Sequence, residues 1–353
     1  MHKMQIENCV LCGKCLNVCP IFNYTLKEED SPRAKAFLYN KINELLISEK
    51  DIKKDLVKCL GCARCYDVCP QRIYIPDVVS DLRARYRDLK SRLYSKAVTA
   101  LPLLPEYIVK ILNEKKFAPS SSMGILSIKE KGSKINEKVA LFAGCFGKYI
   151  RKDLINKAKK VLDSYFESVE IFQGTCCGYP FYFAGDKNRE KRSFQENFRL
   201  WNELGRPKII TFCATCYKAL KRYEKFISDE MKKKVWINSI HYLSEFITPD
   251  GIELVKSPPD LILHKPCHLE KDFFENLRLF FEHMNLCNKI IDQCCGFGGC
   301  TRLEFSELCN GIGKKFWDNV DEKMVVTGCS GCIIQLALTK DNLYVGHWLD
   351  LIL

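Results

Sequence analysis

The spacing of apolar and polar positions divides the chain into two textures. In the N-terminal part it is helical. Ser31-Pro32 reads as an N-cap followed by a favoured first-turn proline, and Ala36, Phe37, Tyr39, Ile42, Leu45 and Leu46 follow at helical intervals. Pro76 opens a further charged helix running to about Leu93. Beyond Val139 short apolar runs alternate with helix-period stretches. Val139–Ala143 is followed by a helical stretch from Arg151 to Phe166, and Val169–Phe172 by a helix from about Asn188 to Leu204. Lys208–Phe212 is a third run. The pattern then repeats with Leu261–His264, Lys271–Met284, Lys289–Asp292, Ile312–Val320 and Met324–Thr327. Strands alternating with helices predict mainly parallel sheets, so the fold class is α/β with an N-terminal α-helical module. Between the textures, Lys115–Gly132 is rich in Lys and Ser and reads as a surface linker or hairpin.

Composition changes this picture at one point: 21 of the 353 residues are cysteine. A disulfide-stapled secreted protein would account for such a count. The start MHKMQIENCVLCGK has no apolar h-region, however, and a reducing, cytoplasmic setting is the expectation. The longest apolar stretch, Val98–Leu112, is broken by Pro102 and Pro105 and is too short to span a membrane. It reads as an interdomain helix, with a peripheral contact on the cytoplasmic face of a membrane as the alternative. The formal net charge is +12 with every cysteine counted neutral. No helix–turn–helix or zinc-finger spacing accompanies the lysines, so no nucleic-acid partner is expected. Solvated faces or docking to an acidic partner account for the charge.

The cysteines fall into two kinds of motif. Residues 9–20 read CVLCGKCLNVCP and residues 59–70 read CLGCARCYDVCP. Each is C-x2-C-x2-C-x3-C-P, the bacterial two-cluster ferredoxin run, in which the fourth cysteine ligates the other cluster. One cubane 4Fe–4S site is therefore expected on Cys9, Cys12, Cys15 and Cys69, and a second on Cys59, Cys62, Cys65 and Cys19. Zinc would want paired C-x-x-C motifs, whereas these are triplets followed by C-P.

The second kind is a five-point pattern that occurs twice: Cys145, Cys176, Cys177, Cys213, Cys216, then Cys267, Cys294, Cys295, Cys329, Cys332. The two copies read as a tandem duplication. Five thiolates exceed the four ligands of zinc, and soft thiolates select zinc, copper(I) or iron–sulfur, which favours iron–sulfur here. Each group follows the carboxyl end of a predicted strand, where sites of open α/β sheets gather. Gly178, Gly296, Gly298 and Gly299 would let backbone approach an inorganic core. Cys287, Cys300 and Cys309 read as small buried hydrophobes, with Cys300 the alternative ligand. His268 is read either as a proton donor to a departing thiolate or as an orienting or capping residue; His241, His264 and His347 are read as structural.

These motifs, with the wording HKPCHLEK at 264–271, CCGFGG at 294–299, CCGYP at 176–180 and TGCSGC at 327–332, resemble the cysteine-rich CCG domain. That domain occurs in heterodisulfide reductase catalytic subunits and in the iron–sulfur subunits of glycolate oxidase, lactate-oxidising enzymes and anaerobic glycerol-3-phosphate dehydrogenase. The helical insert between the two ferredoxin runs resembles the α-helical ferredoxin modules of fumarate reductase and of those subunits. The resemblance implies an α-helical ferredoxin domain over residues 1–95, a linker over 96–137, a first CCG domain over 138–250 and a second over 258–353. It also implies one or two further, noncubane 4Fe–4S clusters in the five-cysteine sets, which carry the catalytic chemistry. The function so implied is that of an iron–sulfur electron-transfer subunit of an oxidoreductase complex. The alternative is a heterodisulfide reductase-type subunit reducing a disulfide at two noncubane clusters. No GxGxxG–acidic signature, Walker loop or flavin motif is present, so the organic donor is expected on another chain, an FAD-containing dehydrogenase or other redox subunit. Quinone or a disulfide is the expected acceptor.

Overall fold

The short apolar runs beyond Val139 pair in parallel because each is buried among neighbours and is joined to the next by a crossover rather than a tight turn. The computed structural model describes residues 5–44, 46, 48–103, 123–129, 132–287, 289–320, 324–340 and 343–353, the side chains of 49–51 excepted. Among these residues the strands are β1 (Leu126–Ile128), β2 (Ile135–Phe142), β3 (Phe166–Ile171), β4 (Lys208–Thr211), β5 (Ile240–Tyr242), β6 (Ile252–Leu254), β7 (Leu261–His264), β8 (Lys289–Ile291), β9 (Met324–Thr327) and β10 (Tyr344–His347). Two four-stranded sheets are wholly parallel, ordered β3-β2-β4-β5 and β8-β7-β9-β10. The order is the same in both, so the duplication read from the cysteines extends to the backbone. In each sheet the first strand sits between the second and third, which places a switch point where Cys145 and Cys213, or Cys267 and Cys329, leave their strands. Strands β1 and β6 form a separate antiparallel pair.

The outer strands β5 and β10 were not among the predicted elements. β5 is only three residues long and follows directly on a helix, so it has no run for periodicity to detect. The central strands are fully buried: Val139, Ala140, Leu141, Ile209 and Ile210 in one sheet, and Leu261, Ile262, Leu263, Val325 and Val326 in the other.

By packing, the chain divides into two compact units. One comprises Met1–Thr99, Pro180–Arg189 and Cys294–Asp318; the other comprises Ala100–Tyr179, Glu190–Gln293 and Asn319–Leu353 and contains all three sheets. Among the described residues of the first unit, regular structure is entirely helical. Ser31 caps helix Pro32–Asn43 by accepting the Ala34 N–H at 3.1 Å, as the sequence suggests. That helix buries Ala36, Tyr39 and Ile42, whereas Phe37, one residue off the buried stripe, is exposed and lies under the Lys41 ammonium. Leu45 lies outside the described residues. The helix expected from Pro76 to Leu93 is two helices, Ile75–Arg85 and Leu89–Ala100. The break falls before Asp88, whose carboxylate accepts the Ser91 N–H at 2.7 Å and so starts the second helix.

Most of the apolar stretch Val98–Leu112 and most of the Lys- and Ser-rich stretch lie outside the described residues, which resume at 123 and enter β1. No described helix is long and apolar enough to cross a membrane.

Candidate metal centres

In the first unit the two ferredoxin runs adopt the same unusual backbone. The second and fourth residues after the leading cysteine have positive φ in both: Leu11 (52°) and Gly13 (77°), then Gly61 (67°) and Ala63 (61°). Leu11 and Ala63 tolerate a conformation that side chains rarely take, a cost that structure accepts at sites with a function. Alternating handedness turns successive N–H groups toward one side, as in anion-binding nests. One such contact is made already: the Gly61 N–H points at Cys59 Sγ at 3.4 Å.

Cys19, Cys59, Cys62 and Cys65 line one cavity, together with Lys35, Lys58, Asp30 and the apolar groups of Ile21, Leu60 and Ile75. These are the four thiols that the sequence assigns to one cubane. Burial pushes the Cys59 thiol up to about 12 and raises Cys65 as well. Lys35 is itself buried, donates to the Asp30 carbonyl at 2.6 Å, and is lowered by burial against the pull of Cys59 and Cys19. A buried ammonium among neutral thiols is costly. Beyond the Asp30 carboxylate, four thiolates around an iron–sulfur core would add negative charge beside it, so the cavity fits such a group. Of the other four thiols, Cys15 feels Cys9 and Cys12 and is raised to about 11, chiefly by burial. Cys12 is exposed, Cys9 is half-buried, and half-buried Cys69 donates its N–H to the Tyr66 carbonyl.

The first five-cysteine set lies wholly in the second unit, and its thiols meet. Cys145 shares a hydrogen bond with Cys176, Cys176 with Cys177, Cys177 with Cys216, and Cys216 with Cys213. Gly144 (φ 66°) makes room, since a Cβ there would come within 2.6 Å of Cys216 Sγ. Cys213 is the N-cap of helix Ala214–Lys221, so the positive end of a helix faces the thiols. Protons are shared unevenly. Hydrogen bonds from Cys176 and Cys216 lower Cys177 to about 6, and bonds from Cys216 and Cys329 hold Cys213 well down, while Cys145 and Cys216 are pushed up. Five adjoining thiols, three of them buried, cannot all ionise without a positive core between them, which is what iron supplies. Among the described residues no three Cys, His, Asp or Glu side chains are arranged to hold a single metal ion.

The second set is divided differently. Cys267, Cys329 and Cys332 belong to the second unit, while Cys294 and Cys295 belong to the first. There Cys294 hydrogen-bonds to Cys62 of the ferredoxin run, and both are buried. Within the second unit the two C-x-x-C motifs face each other. Cys213 bonds to Cys329, the Thr215 hydroxyl lies 3.1 Å from Cys329 Sγ, and the Ser330 hydroxyl donates to Cys213 Sγ at 3.2 Å. His268, next to Cys267, is held by Thr215 (3.1 Å) and Tyr179 (3.1 Å), a cradle that suits the orienting reading of this residue. His264 and His347 are buried and bonded within the fold. Cys300 and Cys309 are buried and Cys287 half-buried; Cys300 Sγ donates to the Phe183 carbonyl.

Other residues that shape the sites had little or no signal in the sequence. Asn197 accepts the Thr175 N–H at 2.8 Å and donates to Cys176 O and the Tyr223 hydroxyl, fixing the turn that carries the cysteine pair. The Tyr242 hydroxyl reaches the carbonyls of Phe212 and Gly328, each at 2.9 Å, just before Cys213 and Cys329. Thr215 and Ser330 lie inside the two C-x-x-C motifs but were not singled out there.

Residues 5–73 match the family model described as a 4Fe-4S dicluster domain, and residues 139–221 and 261–337 each match the cysteine-rich domain. The chain is 26% identical over 355 residues to an uncharacterized iron–sulfur protein of Methanococcus maripaludis, covering 95% of this chain and 68% of the relative. It is 25% identical over 367 residues to one of the subunits of the fumarate reductase (CoM/CoB) of Methanothermobacter marburgensis, covering 96% and 68%. To the probable glycolate oxidase iron–sulfur subunit from Bacillus subtilis it is 22% identical over 407 residues, covering 96% and 90%.

Proposed function

The chain belongs to the iron–sulfur proteins that join a 4Fe-4S dicluster domain to cysteine-rich domains, and on that premise we propose that it is the electron-transfer subunit of an oxidoreductase complex. Cys9, Cys12, Cys15 and Cys69 hold one cubane, and Cys59, Cys62, Cys65 and Cys19 the other. The two five-cysteine sets hold further clusters, of the noncubane kind. Bound iron–sulfur clusters supply one-electron steps; the protein's own residues fix the thiols, exclude water and place hydroxyl and N–H donors against sulfur. The observation that carries the reading is the line of hydrogen-bonded thiols from half-buried Cys145 and Cys176 through buried Cys177, Cys216 and Cys213 to Cys329. Relatives named as an iron–sulfur subunit of glycolate oxidase and as a subunit of fumarate reductase support it. The partner is an FAD-containing dehydrogenase, and the acceptor a quinone or another redox protein.

A second reading, reduction of a disulfide at the cysteine-rich sites, is favoured by one feature. The contact of Cys213 with Cys329 joins the C-x-x-C motifs of the two domains, as a substrate with two sulfurs would need. Protein prepared without oxygen should contain about 16 iron atoms if four 4Fe–4S sites are filled; zinc in their place sinks both readings. Reduced methyl viologen then separates them. Electrons reaching a quinone analogue or a flavoprotein support the relay, whereas cleavage of a small disulfide by this chain alone supports the second reading.

A further inference from the structure

The two ferredoxin runs share a backbone and differ in the cation that each four-thiol site meets. Both cations come from the first turn of helix Pro32–Asn43, where the positive end of a helix disfavours them. Arg33 faces the first site. Its backbone N–H bonds to Cys15, and a Cβ on Gly13 would come within 3.1 Å of its guanidinium. That guanidinium is 33% exposed and already paired with Glu28 at 2.7 and 3.1 Å, so water and a carboxylate cancel most of its field. Lys35 faces the second site. It is 2% exposed and lines the cavity of Cys19, Cys59, Cys62 and Cys65. Its ammonium donates to the Asp30 carbonyl at 2.6 Å, whereas the Asp30 carboxylate lies 3.2 Å from Lys58, which also holds Asp55 at 2.8 Å. The charges that pull on Lys35 most are Cys59 and Cys19, ahead of Asp30. Thiolates around iron would strengthen that pull and hold the ammonium charged. Burial alone makes a site harder to reduce, because an added negative charge is poorly solvated there. A cation fixed in the same dry cavity acts the other way, and with far more force than one in water.

We propose that Lys35 sets the reduction potential of the cubane site on Cys19, Cys59, Cys62 and Cys65. It raises that potential, so that an electron entering the ferredoxin module settles there rather than on the site of Cys9, Cys12, Cys15 and Cys69. This rests on the ligand assignments proposed above. The step is a one-electron one: a donor such as reduced methyl viologen loses an electron and the site gains it. Lys35 supplies the balancing positive charge, so no bond breaks and no proton moves.

The test is a redox titration of the whole chain, loaded with iron without oxygen and followed by electron paramagnetic resonance rather than turnover. The signal that Cys65→Ser alters marks the second site, and in the unsubstituted protein it should appear before that of the first. Lys35→Met should lower its midpoint by about 59 mV or more, a tenfold change in the equilibrium constant. Asp30→Asn, which removes a negative charge from the same cavity, should raise it, and Arg33→Met should leave it in place. A first site that fills first, or an unmoved midpoint in Lys35→Met with both signals present, overturns the proposal and leaves the cubane assignments intact. If Lys35→Met takes up no iron at that site, the Asp30→Asn midpoint decides: a rise supports the proposal and no change overturns it. Absence of any signal that depends on Cys65 overturns the ligand assignment and the proposal together.

Discussion

The two five-cysteine sets look equivalent in sequence and are built from sheets of the same strand order, yet they are embedded differently. Gly178 and Gly296 share the same φ of 84°, and each packs against the helix that follows its cysteine pair: Gly178 by Ser193, Gly296 by Cys309 and Gly313. In the first copy the pair Cys176–Cys177 lies in the sheet-bearing unit with the other three thiols. In the second, Cys294–Cys295 and helix Ser306–Trp317 belong to the ferredoxin unit. Duplication copied the cysteines; divergence of the surrounding side chains changed what the pair is attached to. Ser193 and Asn197 serve the first pair locally, whereas Thr301 and Glu304 bond the second to Cys59 and Arg83.

Arg83→Met should break this difference most severely. It leaves Glu304, 5% exposed, without its buried cation, and removing one partner of a buried pair costs about 3–5 kcal/mol. The matching change in the other unit, Arg151→Met, should cost less, because Asp350 keeps the Tyr344 hydroxyl and the His347 N–H. Chemical denaturation followed by fluorescence reads both, and equal losses would show the two ion pairs to be equivalent supports.

Asn197→Ala comes next. It releases the Cys176 turn and strands the Thr175 N–H, at a cost of about 1–3 kcal/mol. Iron should be lost from the first set alone; loss from the ferredoxin sites as well would mean that the sets do not fill independently.

His347 and Tyr242, from the outermost strands of the two sheets, both donate to the Phe212 carbonyl, but only His347 titrates on the acid side of neutrality. Burial lowers His347 from 6.5 to about 4, and its Nδ1 accepts the Leu349 N–H, so the neutral ring is the one that fits. The folded pKa lies below the unfolded one. The stabilisation is therefore complete above pH 6.5 and is lost as the pH falls toward 4, by at most about 1.4 kcal/mol for each pH unit. His347→Gln should flatten that acid limb of a stability–pH curve; an unchanged slope would place the titration elsewhere. Tyr242→Phe is the mildest change, about 1 kcal/mol through lost bonds to two carbonyls, with no pH dependence.

The cofactor chemistry was legible because ligand spacing is local: the C-x-x-C triplets, the adjacent pairs and the glycines after them are fixed by the few residues around each sulfur. The buried stretches of β2, β4, β7 and β9 were legible for a related reason, since a strand buried on both faces must be a continuous apolar run. The long-range supports were not. Nothing local marks Asn197 within a charged helix as the clamp of a cysteine turn, or Arg83 as a buried guanidinium rather than a solvated one. The break at Asp88 was missed because apolar spacing continues through it, and a single side-chain cap decides it. Partition of the second cysteine pair into the helical unit depends on contacts more than 200 residues apart, such as Thr301 with Cys59, to which periodicity is blind.

The discontinuity of the helical unit also bears on when it can be finished. Its three segments are Met1–Thr99, Pro180–Arg189 and Cys294–Asp318, so a chain emerging from the ribosome has already made strands β1 to β8 before the last piece arrives. Until then Leu60 and the Cys59 carbonyl lack Gly298 and Thr301, and the Arg83 guanidinium lacks the carboxylate of Glu304. Closure over such separations is slow, and unfinished packing exposes apolar surface during synthesis. The cavity lined by Cys19, Cys59, Cys62 and Cys65 would then be finished only after that last piece is made, and the nascent N-terminal segment would depend on escort while it waits.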